Sequence, residues 1–211
     1  MPSVDESERK FRERLTAILR ATPPLMRVLS VARHLCLPDW LVFSGAVYQP
    51  VLNHLTGRPL DYGIRDYDLA YYDASDLSYE AEDAVIRYVN AAFDEPLRSM
   101  VEVRNQARVH LWFEAKFGEP YAPLSCTAEA LERFASATFA VGVRLEPDDR
   151  LHKPRDWSFA RCVGSIRIWD ADARPQGFGR WRLGRGRAPR VPARRGGRRH
   201  RMGSFVMANP A

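Results

Sequence analysis

Residues 40–73 read WLVFSGAVYQPVLNHLTGRPLDYGIRDYDLAYYD, and the order of runs and breaks in them decides the fold. Trp40-Leu41-Val42-Phe43 is an apolar run that stops at Ser44-Gly45. Ala46 to Leu55 has helical spacing, Thr56 to Arg65 carries two Gly and one Pro, and Asp66 to Tyr72 is a second apolar-rich run. Short apolar runs bounded by Gly or turn residues read as buried strands, and a Gly/Pro-rich stretch between periodic segments reads as a loop. Strand side chains alternate, so Asp66 and Asp68 share one face while Tyr67 and Leu69 point into the core. Two carboxylates on one face of an apolar strand repel each other and lose solvation. A divalent cation between them relieves both costs, since Mg²⁺ takes hard oxygen ligands, often one or two protein carboxylates plus phosphate oxygens. The small Ser44-Gly45 pair would let a phosphate approach backbone N–H groups at a helix start. In the loop, Arg58 and Arg65 are candidate phosphate contacts.

Gly45-Ala46-Val47, a short helix, Gly57-Arg58-Pro59 and then Asp66-Tyr67-Asp68-Leu69 resemble the head of the polymerase-β-type nucleotidyltransferases. Within that superfamily the stretch is most similar to the tRNA nucleotidyltransferase signature: Gly-Gly-Ala-Val-Arg-Asp, Leu-Gly-Arg, then Asp-x-Asp-Leu. With Val101-Glu-Val-Arg-Asn-Gln-Ala-Arg-Val-His-Leu-Trp112 included, residues 25 to 146 resemble bacterial nucleotidyltransferase-family proteins of unassigned substrate. Ser44 stands where the signature has a second Gly, as the superfamily's Gly-Ser form allows. Tyr48-Gln49 stands where the tRNA enzymes carry Arg-Asp, which removes an Arg suited to a triphosphate. The resemblance implies an α/β (α+β) fold, a small mixed sheet of four or five strands with helices packed on it. It implies transfer of a nucleoside monophosphate from an NTP to an acceptor: a small molecule, a protein or an RNA. It also implies catalytic and metal-binding roles for Asp66, Asp68 and Glu102 with Mg²⁺ or Mn²⁺, and phosphate contacts for Ser44, Gly45 and Arg65. Glu102 enters because the superfamily places a third carboxylate on the strand beside its Asp-x-Asp. The rival reading is a non-catalytic nucleotide- or RNA-binding module that retains the fold.

Elsewhere the pattern is regular up to about residue 152. Residues 5–20 read as an amphipathic helix, and Thr22-Pro23-Pro24 starts another with Leu25, Val28, Leu29, Ala32 and Leu35 as its apolar stripe. Ser78 caps a helix whose first turn carries Glu80, Glu82 and Asp83, acids that suit the helix dipole, and whose buried face is Ala81, Val85, Tyr88, Val89 and Ala92. In Ser99 to Arg104 alternation separates Met100, Glu102 and Arg104 from Val101 and Val103. Ala107 to Phe113 reads as a further strand, with Arg108 and His110 as candidate nucleotide contacts. Thr127 reads as the cap of a helix through Phe134, and Ala140 to Leu145 as a last apolar run.

The net charge of +6 is unevenly spread. Residues 1–152 carry 17 Lys+Arg against 23 Asp+Glu, whereas residues 153–211 carry 15 against 3, with 8 of the 13 Gly and 3 of the 5 Trp. The division expected is therefore a nucleotidyltransferase-like domain, 1–152, and an Arg/Gly-rich tail, 153–211, disordered by composition. Such a tail, with interleaved Trp, suits RNA contact; the alternative is an out-of-frame product, since GC-rich sequence read out of frame yields Arg, Gly, Pro, Ala and Trp. No run reaches the roughly 18 apolar residues of a membrane span, and MPSVDESERK has no signal-peptide pattern. Cys36, Cys126 and Cys162 form neither a metal spacing nor a disulfide framework, so the expectation is a reducing cytoplasm and no membrane.

Overall fold

The structure, a computed structural model, describes residues 4–152 apart from Ala135 and Ala137. The expected tail and Cys162 lie outside the described residues. A five-stranded mixed sheet organises the rest. Its strands are β1 (Leu41–Phe43), β2 (Tyr67–Tyr71), β3 (Val101–Asn105), β4 (Gly142–Leu145) and β5 (Leu151–His152), in the order β3-β2-β1-β4-β5. β1 pairs antiparallel with both β2 and β4, and β2 pairs parallel with β3. A parallel pair needs a crossover, supplied here by the helix predicted after Ser78.

Alternation sets what each face of the sheet does. Tyr67, Leu69 and Tyr71 of β2 and Val101 and Val103 of β3 turn to one side and are almost fully buried there. That side packs on α1 (Val4–Arg20), α2 (Pro23–Leu35), α3 (Gly45–Leu55) and α4 (Tyr79–Ala91). Leu15, Ile18 and Leu19 of α1 and Leu25, Val28, Leu29 and Ala32 of α2 fall at helical spacing and form the core. Each fully buried Leu or Val of this set contributes roughly 1.5–3 kcal/mol. The opposite side of the sheet carries Leu41, Phe43 and Ala70, which pack on Leu124, Ala130, Leu131 and Phe134. Asp68, Glu102 and Arg104, each half-buried, lie on that same side outside the cluster.

Several expectations needed correction. Ala107 to Phe113 is not a strand: after the short α5 (Leu97–Met100) and β3 the chain forms a 3₁₀ helix, Gln106–Leu111, and then α6 (Phe113–Phe117). Asn105 caps the 3₁₀ turn, its Oδ1 accepting from the Ala107 N–H at 3.1 Å, and this ends the strand. Tyr88 is 56% exposed, so it leaves the buried face of α4, and Glu82 takes a place there at 7%. Segment 128–133 is 3₁₀ rather than α, and Thr127 does not cap it through its side chain. Its N–H instead donates to Asp39 Oδ2 at 2.6 Å. Ser78 does cap α4, accepting from the Ala81 N–H at 3.2 Å. Among the described residues no helix is long and apolar enough to cross a membrane.

Candidate active site

The register of the sheet assembles the site. Across the parallel ladder Asp68 lies opposite Glu102, and both side chains leave the sheet on the face turned away from the helices. Across the antiparallel ladder Phe43 lies opposite Asp68. The chain therefore leaves β1 through Ser44 and Gly45 beside the start of β2, where Asp66 stands. Four of the residues singled out in the sequence, Ser44, Gly45, Asp66 and Asp68, thus meet at one mouth, with Glu102 alongside. Arg65 is exposed at the same entrance, and its charge acts on Asp66.

The carboxylates are uncomfortable. Burial pushes the Asp66 carboxyl above its ordinary range, with Arg65 opposing. Asp68 is pushed up to about 7, first by burial and then by the negative charges of Asp66 and Glu102, against the pull of Arg104. Part of the Asp68 residue reaches the surface, but the groups packed around it leave the carboxylate poorly hydrated. We read it as an incompletely solvated acid beside two like charges. Among the described residues no three His, Cys, Asp or Glu side chains form a group that could hold a metal ion by themselves.

Open space lies at the start of α3. Ser44 has φ 51° and ψ −116°, a left-handed conformation that costs a non-glycine residue on the order of 1–3 kcal/mol. The strain is held in place by the Ser44 N–H donating to the Val141 carbonyl at 2.8 Å and by the Ser44 carbonyl accepting from Val47 and Tyr48. Gly45 needs no unusual backbone, and a Cβ there would meet nothing within 4 Å. Open space therefore lies over the first amides of α3, which have no intrahelical carbonyl to bond. Tyr48, one turn on, packs its ring on Phe139 with centroids 5.2 Å apart. Burial raises its phenol pKa, and so do Asp66 and Asp68; a neutral ring thus stands near both acids.

Two candidates fall away from the site. Arg108 is buried and forms a close ion pair with Glu82 while its Nε donates to the Leu77 carbonyl at 2.9 Å. It belongs to the α4–β3 contact and cannot reach a nucleotide. His110 sits in the 3₁₀ turn and does not border the cleft of Asp68 and Glu102. Arg58 lies over the Tyr62 ring at 5.3 Å. Asn53 accepts from Gln49 and donates to the carbonyls of Leu60 and Tyr62, so it ties down the loop that delivers Asp66. Sequence reasoning missed Gln106, which lines the cleft with Asp68, Glu102 and Arg104. The i, i+2, i+4 run Glu102, Arg104, Gln106 was the available signal.

A sequence profile of a family described as "Nucleotidyltransferase" matches residues 30–177, which runs past the boundary expected at 152. A solved structure titled "The NMR structure of the protein reveals a CCA-adding enzyme head domain" has a similar fold. It superposes with a TM-score of 0.54 at 22% identity, over 67% of this chain and 71% of that one. A comparison with the curated proteins gave no match.

Proposed function

The chain belongs to the nucleotidyltransferase family, and from that premise we propose that it transfers a nucleoside monophosphate from an NTP to a hydroxyl acceptor with the help of a divalent cation. The observation that carries this reading is the alignment of Asp68 with Glu102 across the parallel ladder, on the open face, with Asp66 two residues before it.

The donor set fits a hard cation that keeps several ligands of its own. Two carboxylates carry charge that burial leaves uncompensated, and Mg²⁺ or Mn²⁺ usually takes one or two protein carboxylates and completes its shell with water and phosphate oxygens. Asp66 and Asp68 would hold it. When bound, such an ion neutralises the triphosphate and stabilises the charge of an in-line displacement. The remaining work falls to the protein. The first amides of α3 and the positive end of its dipole bind phosphate oxygens above Gly45. Glu102 accepts the proton of the acceptor hydroxyl. The strained Ser44 backbone fixes where those amides point, so positioning is present before substrate arrives.

Two observations favour a second reading, a nucleotide-binding module without turnover. Tyr48 places a neutral ring where the tRNA enzymes have Arg, and among the described residues no three-ligand metal group is formed. The two readings part at Glu102. With Mn²⁺ and α-labelled NTPs, the enzyme reading expects Glu102→Gln to keep nucleotide binding while turnover falls by roughly 100-fold or more. Asp66→Asn with Asp68→Asn should abolish the metal-dependent rise in melting temperature. Metal-dependent transfer that survives Glu102→Gln would remove Glu102 from the mechanism, and a wild-type protein with nucleotide binding but no transfer would leave the binder.

A further inference from the structure

We propose that Tyr48 is a specificity-determining residue of this site: its hydroxyl donates to an oxygen of the two outer phosphates, the part that leaves as pyrophosphate, and so selects a nucleoside triphosphate over a monophosphate. This deepens the transferase reading above and rests on it.

The order of the strands fixes where those phosphates fall. Neighbouring strands β3, β2 and β1 carry Glu102, then Asp68 opposite it, then Phe43 opposite Asp68. From Phe43 the chain passes through Ser44 into α3. In the transfer the acceptor oxygen forms a bond to the α-phosphorus as the bond from that phosphorus to the bridging oxygen breaks. Pyrophosphate leaves with the electron pair, and the hydroxyl proton passes to Glu102. The attacking and leaving oxygens lie roughly in line. With the attacking hydroxyl at Glu102 and the α-phosphate beside Asp66 and Asp68, the leaving group falls at the far end of the row, over the first turn of α3. A Cβ on Gly45 would meet nothing there within 4 Å.

Tyr48 borders that space. Its N–H donates to the Ser44 carbonyl at 3.0 Å, so it stands one turn into the helix, three residues from Gly45 and on the same face. Helical side chains tilt toward the N-terminus and cover the turn before their own Cα, which brings the ring over that first turn. The charges of Asp66 and Asp68 both act on the phenol, so the hydroxyl lies on the side of the acids. The ring is held in place. Half-buried, it packs on the core and on Phe139 with centroids 5.2 Å apart. The hydroxyl, by contrast, has no work within the fold. It makes no hydrogen bond among the described residues, whereas the Tyr72 hydroxyl donates to the Leu124 carbonyl at 2.8 Å.

A phenol suits this place chemically. It donates a hydrogen bond while carrying no charge. A Lys or Arg beside Asp66 and Asp68 would pair with them and oppose a cation. Tyr48 leaves their charge to the cation and still offers a donor to the anion. Burial and the two acids raise its pKa above the ordinary value, so it keeps its proton at neutral pH.

The test compares wild type with Tyr48→Phe, which keeps the ring against Phe139 and removes only the hydroxyl. In metal-free buffer the two should melt within ~5 °C of each other. A larger fall would mean that the hydroxyl is satisfied within the fold and would overturn the proposal. With Mn²⁺ present, ATP, GTP, CTP and UTP, their monophosphates and pyrophosphate are then titrated into both proteins by calorimetry. The variant should bind pyrophosphate, and whichever triphosphate the wild type accepts, roughly 10-fold more weakly, the effect of losing one hydrogen bond to a charged group. Monophosphate binding should be unchanged. Equal Kd values for triphosphate and pyrophosphate in the two proteins overturn the role of Tyr48 and leave the transferase reading standing. A loss as large for the monophosphate puts the hydroxyl at the α-phosphate or the nucleoside and overturns it as well. A wild-type protein that binds no triphosphate fails at the transferase reading itself and takes this proposal with it.

Discussion

The Asp68 carboxyl shows how one side chain can carry a cost of burial that a bound proton relieves. Its folded pKa of about 7 stands above the ordinary value of 3.8, so the native state holds a proton that the unfolded chain has already released. The stability linked to that proton is complete below about pH 4 and is lost as pH rises through 7. In metal-free buffer, Asp68→Asn should therefore be more stable than wild type at pH 8, by on the order of 2 kcal/mol after allowance for partial exposure. It should also flatten the decline between pH 4 and 8. Thermal melts of the two proteins across that range provide the measurement, and a variant less stable than wild type at pH 8 would contradict it. Alternation in Asp66-Tyr67-Asp68-Leu69 made the shared face legible in the sequence. The depth of Asp68 was not legible, because it depends on β1 and β3 closing in on either side.

At the scale of elements, the joint between α4 and β3 is held by a buried ion pair as well as by the apolar face of Val85, Val89 and Ala92. Glu82 takes the Asn105 N–H and the Arg108 guanidinium from two successive parts of the next segment. Removing one partner of a buried pair leaves the other charge without compensation, at a cost of about 3–5 kcal/mol. Arg108→Ala should cost that much in urea unfolding, while Glu82→Gln with Arg108→Met should recover a large part of it. Equal losses in the single and double variants would show that the pair contributes little beyond packing. Ala107 to Phe113 differs from the expected strand for a related reason. Ala107, Val109 and Leu111 alternate as a strand would, and the partner that gives Arg108 a buried place lies 26 residues earlier. Local spacing does not reveal such a partner. The loop before Asp66, by contrast, was legible, because Gly57, Pro59 and Gly63 break any regular pattern.

For the whole molecule, β5 pairs with β4, and Asp149 draws in Arg20 and Arg33 from α1 and α2. A cut after His152 keeps all of these contacts, so the shortened chain should retain the helix and strand content of the full protein by circular dichroism. If it were unfolded, the stretch to residue 177 matched by the family profile would be needed for folding, and the division at 152 would be misplaced. The parallel ladder between β2 and β3 carries a further consequence, for how such a protein can change. Sliding β3 by one residue would move Val101 and Val103 to the open face and drive Glu102 and Arg104 into the helices. Chemistry and core thus hang on the same five-residue alignment. An altered register would remove the acid row and the core together, whereas a point substitution at Asp68 or Glu102 would remove an acid and leave the core in place.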